Sequence, residues 1–433
     1  MLASLTIASS AHAARWVRGP YLQDLDSRHV AILGELDAAH GVRLEVARGG
    51  ETGVATTKVE TSPRDTSHEI AVSGLEPATT YAWTLTTDDG LVERGTFTTA
   101  PDDDRPFSFI LYGDNRTNPY AHTAVVAAIR RTPSDFLVHT GDMVYDGSQA
   151  SNWSEFFQIE RDLLRERCLY PAIGNHEIAM PTSDGALRYA RLFRVPAPPG
   201  ASERWYTVRW GSARFFVLDS QDEFTTTERA WLDSALAAAR SEAGLIWRFV
   251  VLHHGPFSSG LHGPNEAMHM ARVPELLRAN GVDLIFSGHD HTYERGEVSG
   301  LRYVVSGGGG APLYREFRGH PGSLKFEPTY HFARVEVSRE KVVLSAMRHD
   351  LSLIERCDLA AGRGSGWSCG AVPPPVAGGS LTATTPPAQT APSPPAKKSC
   401  GCGVVGLERE WLGLVVAGLL ASAVMLRRRG REP

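Results

Sequence analysis

From about Trp16 to Thr99, apolar and polar residues alternate with a period of two. The segments HVAILGEL, VRLEVA, ATTKVE, HEIAVSGL, TYAWTLTT and ERGTFTTA are separated by Gly, Asp and Pro turns. Such alternation gives each segment one buried and one exposed face, the mark of a short strand. No helical period competes, so this stretch predicts a small β-sandwich. From Phe107 the pattern changes. FSFILYGD and DFLVHTGD are apolar runs that read as buried strands, while PYAHTAVVAAIRR and SNWSEFFQIERDLLRER carry helical periodicity. RWYTVRWGSARFFVLDSQ reads as a hairpin turning near Gly211. TTTERAWLDSALAAAR opens with a Thr cap and an acidic first turn and predicts a helix. WRFVVLHHGP, VDLIFSGHDH, LRYVVSGGG, FARVEVS and KVVLSAMR read as strands, and MARVPELLRANG as a helix ending at a Gly cap. The expectation is an α/β protein: an N-terminal β-sandwich, then an α/β sandwich of two mixed β-sheets flanked by helices.

Beyond about Gly370 the chain turns Pro-, Ala- and Thr-rich, and 371–398 reads as an extended linker. KKSCGCG follows, then an apolar run from Trp411 to Leu426 and the basic RRRGRE. That run is shorter than the roughly 20 apolar residues of a spanning helix. Its Arg cluster would set a positive-inside orientation. At the other end, Leu2 to Ala8 is mostly apolar and Ala11-His12-Ala13 is a small-x-small cleavage pattern, so 1–13 reads as a signal peptide.

The length of 433 residues suggests two or three units, and 42% hydrophobic residues allow a sizeable core. A formal net charge of -5 argues against a nucleic-acid-binding surface. Anionic substrates stay within reach if metal ions supply the local positive field. Five cysteines fit an exported protein. Cys357 and Cys369 flank a Gly-rich stretch and could close a small disulfide loop, Cys168 reads as a buried free thiol, and Cys400 and Cys402 belong to the tail. Pairing itself does not follow from sequence.

Five short strings recur in order: YGDNR, TGDMVY, GNHE, LHHGP and GHDHTYER. Each follows an apolar run, so each places a polar side chain where a strand should end. Together they supply Asp114, Asp142, Tyr145, Asn175, His254, His289 and His291. One Asp after a Gly is usually a turn residue; the recurrence at every strand end is what points to metal. The set suffices for two ions roughly 3.5–4 Å apart sharing a carboxylate, an arrangement that holds a phosphate and activates water. Strand alternation points His253 to the face opposite His254, which makes it a core or supporting residue. His139 reads as a satisfied core histidine. The Gly-rich SGGGGAP at 306–312 reads as a tight turn bordering the site.

These strings resemble the calcineurin-like metallophosphoesterases, and more specifically the purple acid phosphatases, over Phe107 to about Arg348. Arg116 stands where most of the superfamily has a His after Asp-x, and Tyr145 stands three residues after Asp142, where other branches usually carry Asp. The resemblance implies a first ion held by Asp114, Asp142, Tyr145 and His291, and a second held by Asp142, Asn175, His254 and His289, with Asp142 bridging. It also implies Fe(III) in the first position, where phenolate and carboxylates gather, and Zn(II), Fe(II) or Mn(II) in the second. His176 is then the first choice for proton donor or phosphate contact, His262 a second catalytic histidine, and Asn115 and Arg116 the groups for phosphate oxygens.

GLEPATTYAWTL with GTFTTAP resembles the later strands of a fibronectin type III-like domain, and RGPYLQ the opening of that module as it precedes purple acid phosphatase domains. The implied division is a fibronectin-like domain at 15–100 and a catalytic domain at 105–350. The tail at 399–433 resembles myxobacterial C-terminal sorting signals, which implies cleavage near Cys400 and Cys402, a lipid on one of them, and a cell-surface or secreted product. The implied function is an exported phosphatase that hydrolyses phosphate monoesters by attack of a metal-bound hydroxide. The rivals are a phosphodiesterase or nucleotide hydrolase on the same scaffold, and a surface adhesion protein with a vestigial hydrolase domain.

Overall fold

The computed structural model describes residues 13–49, 58–178, 184–201, 203–221, 225–314, 319–362, 364 and 366–371. The leader at 1–13, the linker at 371–398 and the tail at 399–433 fall outside this set, Ala13 and Ala371 aside. Among the described residues, no helix is long and apolar enough to cross a membrane.

The alternating N-terminal segments form strands Trp16–Gln23, His29–Arg48, Lys58–Ser73, Thr80–Thr87 and Val92–Thr98. The expected α/β class holds, with one refinement at this end of the chain. The five strands are linked by their pairing into one antiparallel network. The reason is the 20-residue strand His29–Arg48, which runs through both halves. Its first half pairs with Trp16–Gln23 and its second half with Thr80–Thr87, on either side of the register shifts between Glu35, His40 and Val42. Bulges bend a strand and increase its twist, which lets a single strand serve two ends of a sheet. Tyr21 ties this sheet to the rest of the chain, its hydroxyl donating to the Leu192 carbonyl at 2.7 Å, and Arg194 adds an ion pair with Glu69.

Two seven-stranded sheets come next. One runs edge to edge through Trp367–Cys369, Leu353–Ala360, Lys341–Arg348, His331–Val337, Phe107–Tyr112, Phe136–His139 and Leu169–Pro171. The other runs through Ser323–Glu327, Tyr293–Val298, Leu301–Ser306, Leu284–Ser287, Trp247–Val251, Ala213–Val217 and Tyr206–Trp210. The hairpin at Gly211 forms as expected. The strands Tyr293–Val298, Ser323–Glu327 and Leu353–Ala360 were not anticipated, and the first of the two sheets continues past residue 350 to Cys369. Cys369 is bonded to Cys357, and Cys168 is a buried free thiol.

Helices cover these sheets. Pro119–Arg130 starts with Pro in its first turn and Asn118 as cap, the Asn oxygen accepting from the Ala121 N–H. Thr225 caps Thr226–Arg240 in the same way, accepting from Glu228. The helix expected over MARVPELLRANG begins only at Val273, because Pro274 is tolerated only in a first turn and Arg272 before it is left-handed, with φ 54°.

Between the two large sheets, Phe109 sits against Phe136 at 5.3 Å from its own sheet, and against Phe215 at 5.2 Å and Phe286 at 5.7 Å from the other. Most of these contacts are edge-to-face, the favoured geometry for ring pairs. This cluster sets how closely the two sheets approach. Phe109→Ala should lower the unfolding free energy by about 3–5 kcal/mol. Urea denaturation monitored by tryptophan fluorescence reads this, and an unchanged midpoint would refute the central role given to Phe109.

Candidate metal centre

Phe107–Tyr112, Phe136–His139 and Leu169–Pro171 are parallel neighbours in one sheet, and Ala213–Val217, Trp247–Val251 and Leu284–Ser287 in the other. Parallel strands deliver all their carboxyl ends to one rim, where open α/β sheets bind ligands. The segments leaving those ends carry Asp114, Asp142, Asn175, Ser220, His253, His254, His289 and His291.

Asp114 and Asp142 are completely buried and both have left-handed backbones, each with φ 58°. Asp114 accepts the His289 N–H at 3.1 Å, and the Nε2 atom of His291 lies 3.6 Å from its Oδ1. Burial first, and then the charge of Asp142, push the Asp114 carboxyl well above the usual range. Asp142 uses its two oxygens in different directions. Oδ1 accepts the His176 N–H at 3.0 Å and lies 3.3 Å from His253 Nε2. Oδ2 accepts from Arg116 Nε at 3.0 Å.

A third buried acid, Glu177 of GNHE, was not singled out from sequence. Its carboxylate accepts the N–H groups of Gly174 at 2.7 Å and of Asp142 and Met143 at 2.8 Å. It therefore clamps the loop bearing Asp142 to the turn bearing Asn175. Burial and the Asp142 charge raise its carboxyl to about 8. The only earlier signal was a Glu two residues beyond an expected ligand.

The imidazoles require one correction. His253 was expected to face away from the site. Instead its ring is buried, with Nε2 3.0 Å from Asn175 Oδ1 and Nδ1 2.8 Å from the Thr140 carbonyl. The regular strand ends at Val251, so alternation no longer governs residues 253 and 254. His254 lies beside it, Nδ1 3.1 Å from the Ser220 carbonyl, with its ring 4.1 Å from that of His289. His253, His254 and His289 form one group whose nitrogens lie within 4.8 Å of each other, and Asp114, Asp142 and His253 form a second, overlapping group. Nδ1 of His291 meets the Pro312 carbonyl at 2.6 Å, which turns Nε2 toward the carboxylates. Burial lowers the pKa of all four rings, that of His291 to about 4. Neutral imidazoles with one nitrogen anchored on a carbonyl are what metal ligation needs.

The contacts of His253 test the fit of a cation directly. Nδ1 faces a carbonyl oxygen, and Nε2 faces an amide oxygen and a carboxylate oxygen. With Nδ1–H donating to the Thr140 carbonyl, Nε2 turns its lone pair toward the Asn175 amide and the Asp142 carboxylate, and burial opposes a second proton. Imidazole nitrogen beside hard oxygens is a donor set that suits a metal ion.

The remaining predicted residues are more scattered. Tyr145 is 61% exposed, its ring 5.6 Å from that of His176, so its phenol is not buried with the carboxylates. His176 holds the Tyr145 carbonyl through Nδ1 at 2.5 Å, with Nε2 3.9 Å from Asp142 Oδ2. The His262 ring lies 4.0 Å from that of His289. Its loop is held by Asp290, which accepts from Ser258 Oγ at 2.5 Å and the His262 N–H at 2.9 Å. Asn115 is buried, its amide oxygen 2.5 Å from His139 and its amide nitrogen near Gly309, and it borders the cleft beside the site. The glycine turn is tied to the same segment, Gly309 to Gly113 at 2.8 Å and Ala311 to Asp114 at 2.8 Å. A cleft of about 340 Å³ opens beside the site, lined by Arg116, Met143, Val144, Tyr145, Asn152 and Phe156 among others.

Residues 107–293 match the family model of calcineurin-like phosphoesterases. Phosphoenolpyruvate phosphatase of Allium cepa is 27% identical over 270 residues, covering 57% of this chain and 54% of that one. Purple acid phosphatase 4 of Arabidopsis thaliana is 25% identical over 297 residues, covering 60% of this chain and 85% of that one. Among solved structures, purple acid phosphatase PPD1 from yellow lupin seeds is similar in fold, with a TM-score of 0.67, 18% identity, and 79% and 74% of the two chains covered. The chain spans about half the length of the onion enzyme and of two Mycobacterium tuberculosis proteins that it also matches.

Removing the clamp should be costly. Glu177→Ala strands several buried N–H groups and should lower the unfolding free energy by about 2–4 kcal/mol. Chemical denaturation measures this, and wild-type stability in the variant would show that the clamp is dispensable.

Proposed function

We propose that the calcineurin-like phosphoesterase domain spanning 107–293, with its purple acid phosphatase relatives, is a metal-dependent hydrolase of phosphate monoesters. The observation that carries this reading is the gathering of Asp114, Asp142, His253, His254 and His289 in two overlapping groups of ligand atoms at one rim. Asp142, Asn175, His253 and His289, with His254 alongside, would hold one cation. Asp114, Asp142 and His291, with the phenol of Tyr145, would hold the other, Asp142 offering one oxygen to each side. His253 thereby joins the ligand set that the sequence had assigned to His254. When bound, such a pair supplies positive charge for the phosphate and lowers the pKa of a water.

The chain's own groups do the rest. His176, anchored by its Nδ1–H on the Tyr145 carbonyl, presents Nε2 toward Asp142 and is the group we assign to protonating the leaving oxygen. His262, against His289, is the second candidate. Met143, Val144, Tyr145 and Phe156 give the neighbouring cleft an apolar wall for the organic part of an ester. The disulfide between Cys357 and Cys369 favours an oxidising compartment and hence export. Attachment through the tail at 399–433 and a fibronectin-like role for the N-terminal sheet belong to the same proposal.

Asp142→Ala should abolish turnover of para-nitrophenyl phosphate and strip the protein of most of its metal. Metal analysis with a parallel assay on the bis-ester tests both points. Retained metal and turnover would overturn the centre, and a preference for the bis-ester would move the reading to a phosphodiesterase.

Metal identity is proposed as Fe(III) with Zn(II), Fe(II) or Mn(II), with Tyr145 as phenolate ligand. The expected sign is a visible charge-transfer band that disappears in Tyr145→Phe. A colourless protein carrying two zinc or manganese ions would remove both iron and Tyr145 from the proposal.

A further inference from the structure

The two cation positions are not equivalent, because a side chain already reaches one of them. Arg116 donates from Nε to Asp142 Oδ2 at 3.0 Å, and its Nη2 lies 3.2 Å from His291 Nε2. His291 Nδ1 is engaged with the Pro312 carbonyl, so Nε2 carries the lone pair and the guanidinium donates to it. Arg116 is only 13% exposed and touches Thr117 through Nη1 at 3.4 Å, while the Tyr314 ring stacks on His291 at 4.1 Å. Its fork thus takes up the same carboxylate oxygen and the same imidazole lone pair that a cation between Asp114, Asp142 and His291 would use. The position at Asn175, His253 and His289 differs: among the described residues no arginine or lysine is bonded to any of the three.

We propose that Arg116 is a resident cation of the Asp114–His291 position, so that the centre loads in order. The Asn175–His253–His289 position fills first and tightly. The Asp114–His291 position fills only when a metal displaces the guanidinium from Asp142 and His291. Displacement swings a positive charge toward the cleft whose wall Arg116 shares with Thr117 and Tyr145. Giving up two charge-assisted bonds of this kind should weaken the second position on the order of a hundredfold. This inference rests on the metal-centre reading above and adds to it an order and a cause.

The test is zinc binding to the metal-stripped full chain, followed by calorimetry and by elemental analysis after dialysis. Wild type should show one tight and one weak step, the second weaker by about a hundredfold. Arg116→Ala should tighten the weak step about tenfold or more and leave the tight step within about threefold. Arg116→Lys, which keeps the charge without the fork, should fall between them. An unchanged weak step in Arg116→Ala overturns the proposal, as do two equal steps in wild type. Should the Ala variant fail to fold, crystals of wild type with one equivalent of zinc decide. An anomalous peak confined to Asn175, His253 and His289 supports the order, and a peak at Asp114 and His291 with Arg116 still on Asp142 overturns it. If neither wild type nor variant binds zinc, the metal centre itself fails, an outcome distinct from equal binding at both positions.

Discussion

Burying three carboxylates at one rim is the constraint around which this protein is organised. Asp114, Asp142 and Glu177 are each fully removed from solvent, and an unpaired buried charge costs several kcal/mol. The surroundings answer each in turn. Glu177 is satisfied by backbone N–H groups, Asp114 by the amide of His289, and Asp142 by the amide of His176 and the guanidinium of Arg116. His253, Asn175 and Asp142 meet at another point of the rim, where no arginine or lysine among the described residues joins them. The donor set suits a cation, and Arg116 makes its two sides unequal.

Bringing the acids together demands unusual backbone. Asp114, Asp142 and His289 all lie in the left-handed region, which disfavours ordinary side chains by about 1–2 kcal/mol. Strain of this sort persists only where the rest of the fold over-determines it, and it gathers at functional sites. Two glycines permit the close approach. A Cβ on Gly174 would clash with the Asp142 nitrogen, and one on Gly288 would clash with Asp114 Oδ2. The aromatic cluster around Phe109 holds the two sheets together, so the loops that leave both of them meet at one rim.

Much of this was legible one residue at a time. FSFILY and DFLVH announce buried strands, and Asp114 and Asp142 lie beyond their ends because a charged group cannot continue an apolar run. The legibility ended where regular structure ended. Strand alternation assigned His254 inward and His253 outward, yet neither residue is in the strand, and His253 makes the more intimate contacts. Glu177 went unnoticed because its partners are backbone N–H groups, which leave no trace in a sequence of side chains.

The sequence by itself determined most of the elements and which acids and imidazoles stand beyond the parallel strand ends. Those follow from short-range rules: periodicity, turn chemistry and the cost of burying polar groups. Only the tertiary structure decided which nitrogen faces which oxygen, that the N-terminal strands join in one continuous sheet, and that Arg116 reaches across to Asp142 and His291. Arg116 and His291 are separated by 175 positions in the chain. No local pattern encodes a contact of that range, because it depends on how two sheets stack and where their loops then have room to turn.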